Sequence, residues 1–152
     1  MVWALDIFNS LIVVIRFIAG ITGLIPNPMP VADAVGFVLT AIGFSLMGAL
    51  IVERTSGNRV GWLMMLLGFV LADPFRTYIE FNYASLVSDL SVGMYLAVWT
   101  QGWFFFLILY AVFLIILHFP DGHPPTPRWN WVNVISLLTL IQYILVYTIQ
   151  PA

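Results

Sequence analysis

Residues 119–129 read FPDGHPPTPRW. The prolines at Pro120, Pro124, Pro125 and Pro127 each lack an N–H and fix their own φ, so neither a helix nor a central strand can run through this span. It is a stiff connector. The apolar stretches on either side, 93–119 and 131–149, are each long enough to cross a hydrocarbon core of about 30 Å at about 1.5 Å per residue. The connector therefore belongs at a water interface, with Arg128, Trp129 and Trp131 where basic and aromatic anchors sit.

Composition agrees with that reading. The chain is 62% hydrophobic and 8% charged, with a mean hydropathy of +1.02, whereas soluble domains carry about 25% charged residues. It is expected to be an integral membrane protein in contact with the lipid bilayer. The net charge of -2 and the absence of lysine exclude a polybasic lipid-binding arm and give no reason to expect a nucleic-acid partner. With no cysteine there are no disulfides, thiolate metal sites or iron–sulfur ligands. The N-terminus, MVWALD, lacks the basic region of a signal peptide, so the first apolar run is expected to stay as a helix.

Spacing predicts an all-α fold, a single integral-membrane bundle of about five transmembrane helices, at 3–25, 34–52, 60–80, 93–119 and 131–149. The third is the awkward one. Its apolar part, 60–72, covers only about 20 Å, so the helix is expected to continue through Asp73, Pro74 and Arg76 to Glu80. The connectors after the second and fourth spans carry Arg54, Arg59 and Arg128, and the opposite connectors carry Asp33 and Asp89 but no basic residue. The positive-inside bias then places the N-terminus and both arginine-bearing loops in the cytoplasm and Ala152 outside.

Those two loops carry a resemblance. Arg54, Gly57, Asn58, Arg59, Val60, Gly61, Trp62 and Leu63 resemble the R-x-x-G-N-x-I-G-W-L signature that opens a span in the N-terminal membrane regions of bacterial sensor histidine kinases. Phe119, Pro120, Asp121, Gly122, Pro125, Thr126, Pro127, Arg128 and Trp129 are similar to the F-P-D-G-x-x-P-[ST]-P-R-W signature one hairpin later in the same regions. The resemblance covers about residues 34–149. It implies a sensory and signalling module of a two-component system in the bacterial cytoplasmic membrane. Residues 1–152 hold neither a phosphoacceptor-histidine helix nor an ATP-binding domain, so kinase activity is not carried over to them and the chain is not expected to be an enzyme.

Physically, Gly57 and Asn58 suit a tight turn needing φ > 0, Asn58 can bond to backbone at the start of the next helix, and Trp62 anchors that helix at headgroup level. Asp121 and Gly122 suit a second turn, and Arg128 can reach Asp121, Glu53 or a lipid phosphate. The plain reading is a pair of topological clips. The functional one is a docking or signal-transmitting surface.

The strongest candidate site lies elsewhere. Asp73, Arg76 and Glu80 fall at i, i+3 and i+7, one helix face with alternating charge, and Arg16 is a lone cation in the first span at a depth similar to Asp73. An unpaired charge at such depth costs at least about 2.5–3.5 kcal/mol, so Arg16 is expected to pair, with Asp73 as first choice. The alternative use of the four residues is an outward-facing polar cavity for a ligand or ion.

Tyr95, Trp99, Trp103, Phe106, Tyr110 and Phe113 form an aromatic stripe along the fourth span, read as packing, with a pigment, quinone or lipid-tail groove as the alternative. Ala41, Ser45 and Ala49 form a small-residue stripe on the second span, expected to face the bundle. His118 and His123 lie at one edge, expected to be wet, with no deep partner histidine for a haem, so no cofactor is expected. No GxSxG, HExxH or phosphate-loop pattern is present. Two functions fit: the sensory module, or an accessory subunit that packs against another integral-membrane protein or its own copy in a larger electron-transfer or photosynthetic complex.

Overall fold

A computed structural model of the protein describes residues 2–25, 30–55, 58–82 and 91–149. Gly57 of the first loop motif and Asp89 lie outside these residues. The described chain is helical: α1 Val2–Ile21, α2 Val31–Arg54, α3 Arg59–Ala72, α4 Pro74–Phe81, α5 Val92–His118 and α6 Asn130–Ile149, with a single 3₁₀ turn at Pro127–Trp129. Taking α3 and α4 as one span, five stretches are long and apolar enough to cross a membrane. The protein is an all-α, multi-pass membrane bundle.

α3 is the central helix, packed against α2, α1 and α5, and Val60, Leu67, Val70 and Ala72 along it are almost fully buried. The α2–α3 seam is built from small residues. A Cβ on Gly48 would lie 2.6 Å from both the Gly61 carbonyl oxygen and the Met65 nitrogen, and one on Gly68 would lie 2.8 Å from the Ala41 oxygen and the Ser45 nitrogen. Pairing Gly48 with Gly61 and Ala41 with Gly68 makes the helices antiparallel and brings their backbones into direct contact, which only small side chains permit. Ala41, Ser45 and Ala49 are all buried, as their spacing predicts. Against the other side of α5, the Phe106 and Tyr143 rings stack at 3.7 Å, the Trp99 Nε1–H donates to Thr148 Oγ1 at 3.1 Å, and the Tyr147 ring covers Gly102. The middle of the aromatic stripe is thus the seam to α6, while Tyr95 at its end is exposed.

The third span is not one helix. α3 stops at Asp73, whose φ of 48° is left-handed, and α4 starts at Pro74. Proline disfavours the α conformation in the residue before it and is well suited to the first position of a new helix. Pro74 therefore breaks the expected continuous helix, and Asp73 becomes a joint rather than a rung on a shared face. Its own N–H bonds to the Val70 carbonyl at 3.1 Å, closing α3. Its side-chain Oδ1 accepts the Arg76 N–H at 3.2 Å and its carbonyl accepts the Thr77 hydroxyl at 3.0 Å, opening α4.

At the opposite end of the bundle the two arginine-bearing loops touch. Asn58 has an extended backbone, φ -72°, and not the positive φ expected of a tight turn, because it is the N-cap of α3: it accepts the Val60 N–H at 2.9 Å and donates from Nδ2 to the Pro120 carbonyl at 3.2 Å. Gly122, at φ 78°, sits against this cap: a Cβ there would lie 2.8 Å from Asn58 Oδ1 and 3.0 Å from the Arg59 nitrogen. Conformation and space both demand glycine. Gly23 has a similar φ of 72° but nothing within 4 Å of its Cβ position. Asparagine tolerates left-handed backbone, so Gly23→Asn should leave thermal stability nearly unchanged, whereas Gly122→Asn should cost about 1–3 kcal/mol. Equal losses at both positions in detergent melts would show that conformation alone, and not the loop contact, demands glycine.

Candidate functional site

Where α3 gives way to α4, the charged residues collect. The Arg16 Nε–H donates to Glu80 Oε2 at 3.1 Å and its Nη2 to Oε1 at 3.2 Å, while the Arg76 Nε–H donates to the same Oε1 at 2.9 Å. Glu80 is thus clasped by two guanidinium groups, one side-on from α1 and one from a turn earlier on α4. Arg16 and Glu80 side chains retain only 20% and 14% of their exposure, and Arg76 retains 47%.

Arg16 is paired, as insertion energetics require, but its partner is Glu80 and not Asp73. The break explains the exchange. Once Asp73 leaves helical geometry its carboxylate points back into its own joint, where Oδ1 caps α4 and Oδ2 accepts the Gln101 Nε2–H at 3.1 Å. α4 meanwhile packs chiefly on α5 and touches α1, where it delivers Glu80 to Arg16. Gln101, which the sequence reading passed over, ties α5 to this joint. It was legible only as a lone amide in an apolar span, where a polar side chain is expected to find a partner.

Arg16, Asp73, Arg76, Glu80 and Gln101 form the polar end of a cavity of about 770 Å³ between α1, α2, α3–α4 and α5. The rest of its wall is apolar, including Ile21, Val31, Phe37, Val38, Phe104 and Ile108. Phe104 is held edge-on to Phe75 at a centroid distance of 5.3 Å, which fixes the wall beside the joint. Size and lining match a small-molecule site of about 300–1,000 Å³, mostly apolar with a few convergent polar groups. Gln101 Oε1 is buried with no hydrogen-bond partner.

The loop residues occupy the far end. Arg54, Arg59, Asp121 and Arg128 are exposed, Trp62 and Trp129 are 44% and 45% exposed, Asn58 is half-buried and Gly122 is buried beneath it. Among the described residues Arg128 makes no ion pair, so the anticipated bridge to Asp121 or Glu53 does not form. His118 departs from expectation too. It is buried, not wet, with Nδ1 bonded to the Leu114 carbonyl at 2.8 Å, because the loop folds back so that the Gly122 N–H bonds to the His118 carbonyl. His123 remains exposed, with Nδ1 2.9 Å from the Asp121 carbonyl.

A second polar feature was missed. Asp6 and Asn9 on α1 are buried, each with an oxygen lacking a partner. Their spacing to Val13 and Arg16 is three, four and three residues, one helix face, and this was readable from the sequence. Among the described residues no three His, Asp or Glu gather closely enough to hold a metal ion. Comparison with known proteins leaves the site to be read on its own chemistry, since no family model, curated protein or solved structure matches the chain.

Proposed function

We propose that this chain is a membrane-embedded sensory module, non-catalytic in itself, that binds a ligand in the charged cavity and passes a helix displacement to the loops at the other end. The observation that carries the reading is the joint at Asp73: it interrupts the central helix where four charges meet the cavity. Occupation of that cavity would act on α3, and α3 begins at the Asn58 cap that holds both loops together. The likeness of those loops to the membrane regions of sensor histidine kinases supports the same direction of signal, with a bacterial cytoplasmic membrane as its place and the arginine-bearing loops inside.

Topology is tested by single cysteines at Thr55 and Thr126 in intact cells. Neither should react with an impermeant thiol reagent until the membrane is opened, and reaction of both beforehand would invert the orientation. Transmission is tested with spin labels at the same two positions, 55 and 126, in purified protein. Glu80→Gln, at the opposite end of the bundle, should shift or broaden the distance distribution between them. An identical distribution would reject coupling between the ends, since allostery requires an element that both sites bias.

The accessory-subunit reading has one observation in its favour. α6 packs on α5 and the 3₁₀ turn, has no buried residue, and leaves Trp131, Ile135, Leu138 and Leu145 exposed. Stable co-purification of an integral-membrane partner that α6 substitutions release would favour it.

A further inference from the structure

The geometry points to an anionic amphiphile, a carboxylate or phosphate head on a hydrocarbon tail, as the ligand of the cavity. This rests on reading the cavity as an input site. Hydrogen-bond supply at the polar end selects the head. Each guanidinium offers five N–H donors, and Glu80 takes two from Arg16 and one from Arg76. Most donors on both groups are uncommitted among the described residues. Acceptors are scarcer: of about four lone-pair sites on each carboxylate, Glu80 uses three for arginine and Asp73 uses two, for the α4 backbone and Gln101, so free N–H groups outnumber free acceptor sites although the two guanidiniums and two carboxylates balance in charge. The polar end therefore presents a surplus of planar, charged N–H donors, which matches a carboxylate or phosphate and disfavours a cationic head.

The apolar remainder identifies the tail. Phe37, Val38, Phe104 and Ile108 line one continuous space with the charged cluster, so head and tail can be held together in about 770 Å³. A tail arriving from lipid or micelle leaves one hydrocarbon environment for another and gains little by transfer. Selectivity must then come from the head and from the cavity's shape.

The test uses the full chain in a non-ionic detergent, with decanoate, decyl phosphate, decan-1-ol and decyltrimethylammonium as probes in binding titrations. Decanoate and decyl phosphate should bind, decanol about tenfold or more weakly, and the cation not at all. Arg76→Gln should weaken decanoate about ten- to a hundredfold, the effect of losing a charged hydrogen bond, while Arg76→Lys restores part of it. Arg76 is half exposed, so both variants should fold. Ala34→Phe, on the cavity wall, should block the probe while leaving every head contact in place. Equal binding of all four probes, or decanoate binding unchanged by both Arg76→Gln and Ala34→Phe, would overturn the proposal. The source is separated in nanodiscs. Loss of decanoate binding in phosphatidylglycerol but not phosphatidylcholine discs assigns the site to bilayer phospholipid, and equal binding in both assigns it to a free carboxylate. Decanoate that binds without moving labels at positions 55 and 126 sinks the sensory reading and leaves this one standing. Coupling without anion selectivity does the reverse.

Discussion

Gly48→Ala should cost about 2–3 kcal/mol of stability, and Gly43→Ala, five residues earlier on the same helix, should cost nothing. The substitution is chemically identical at the two positions, and alanine is the better helix former by up to about 1 kcal/mol. Surroundings make the difference. A Cβ on Gly43 meets nothing within 4 Å, while one on Gly48 would lie 2.6 Å from main-chain atoms of Gly61 and Met65. The main chain of a packed helix cannot rotate away as a side chain can, so α2 and α3 must separate and lose contacts along the seam. Separation is especially costly here because α3 is the central helix. Unfolding titrations in mixed micelles check this, and equal stability of the two variants would mean that the α2–α3 backbones do not approach so closely.

Glu80→Ala should be about as damaging, at about 2–3 kcal/mol, for an electrostatic reason. It removes the one carboxylate that both Arg16 and Arg76 hold. Breaking a fully buried ion pair costs about 3–5 kcal/mol, and the residual exposure of these side chains argues for less. A double-mutant cycle separates partners. Arg16→Gln with Glu80→Gln should show a coupling of at least about 1 kcal/mol, and Arg16→Gln with Asp73→Asn a clearly smaller one, since those two make no direct bond. Strong Arg16–Asp73 coupling would restore the pairing that sequence alone suggested. Asp73→Asn should still be mildly destabilising by itself, since asparagine tolerates the left-handed backbone and its one oxygen can cap α4, but an amide NH2 then stands where Oδ2 accepted the Gln101 N–H.

The environment and the helical class were legible in the sequence, because long apolar runs punctuated by proline have few solutions when every backbone N–H and C=O must be satisfied within lipid. The local chemistry of single residues was legible too. Asn58 caps α3, Gly122 takes a left-handed turn, and Ala41, Ser45 and Ala49 face inward. Each of these depends on a few neighbours along the chain, and so is written in the residue types and their spacing. Partners were not written there. Charge and depth selected four residues, yet whether Arg16 meets Asp73 or Glu80 turned on the break at Pro74 and on where α4 touches α1. Gln101 comes to that joint from α5, His118 is buried by a loop folding back, and Asn58 bridges to Pro120 across 62 residues of chain. Such contacts follow from how the helices are arranged around α3, which periodicity in one helix does not specify. The cavity belongs with them: no single helix contains it, and it exists only because α1, α2, α3–α4 and α5 enclose one space beside a broken helix.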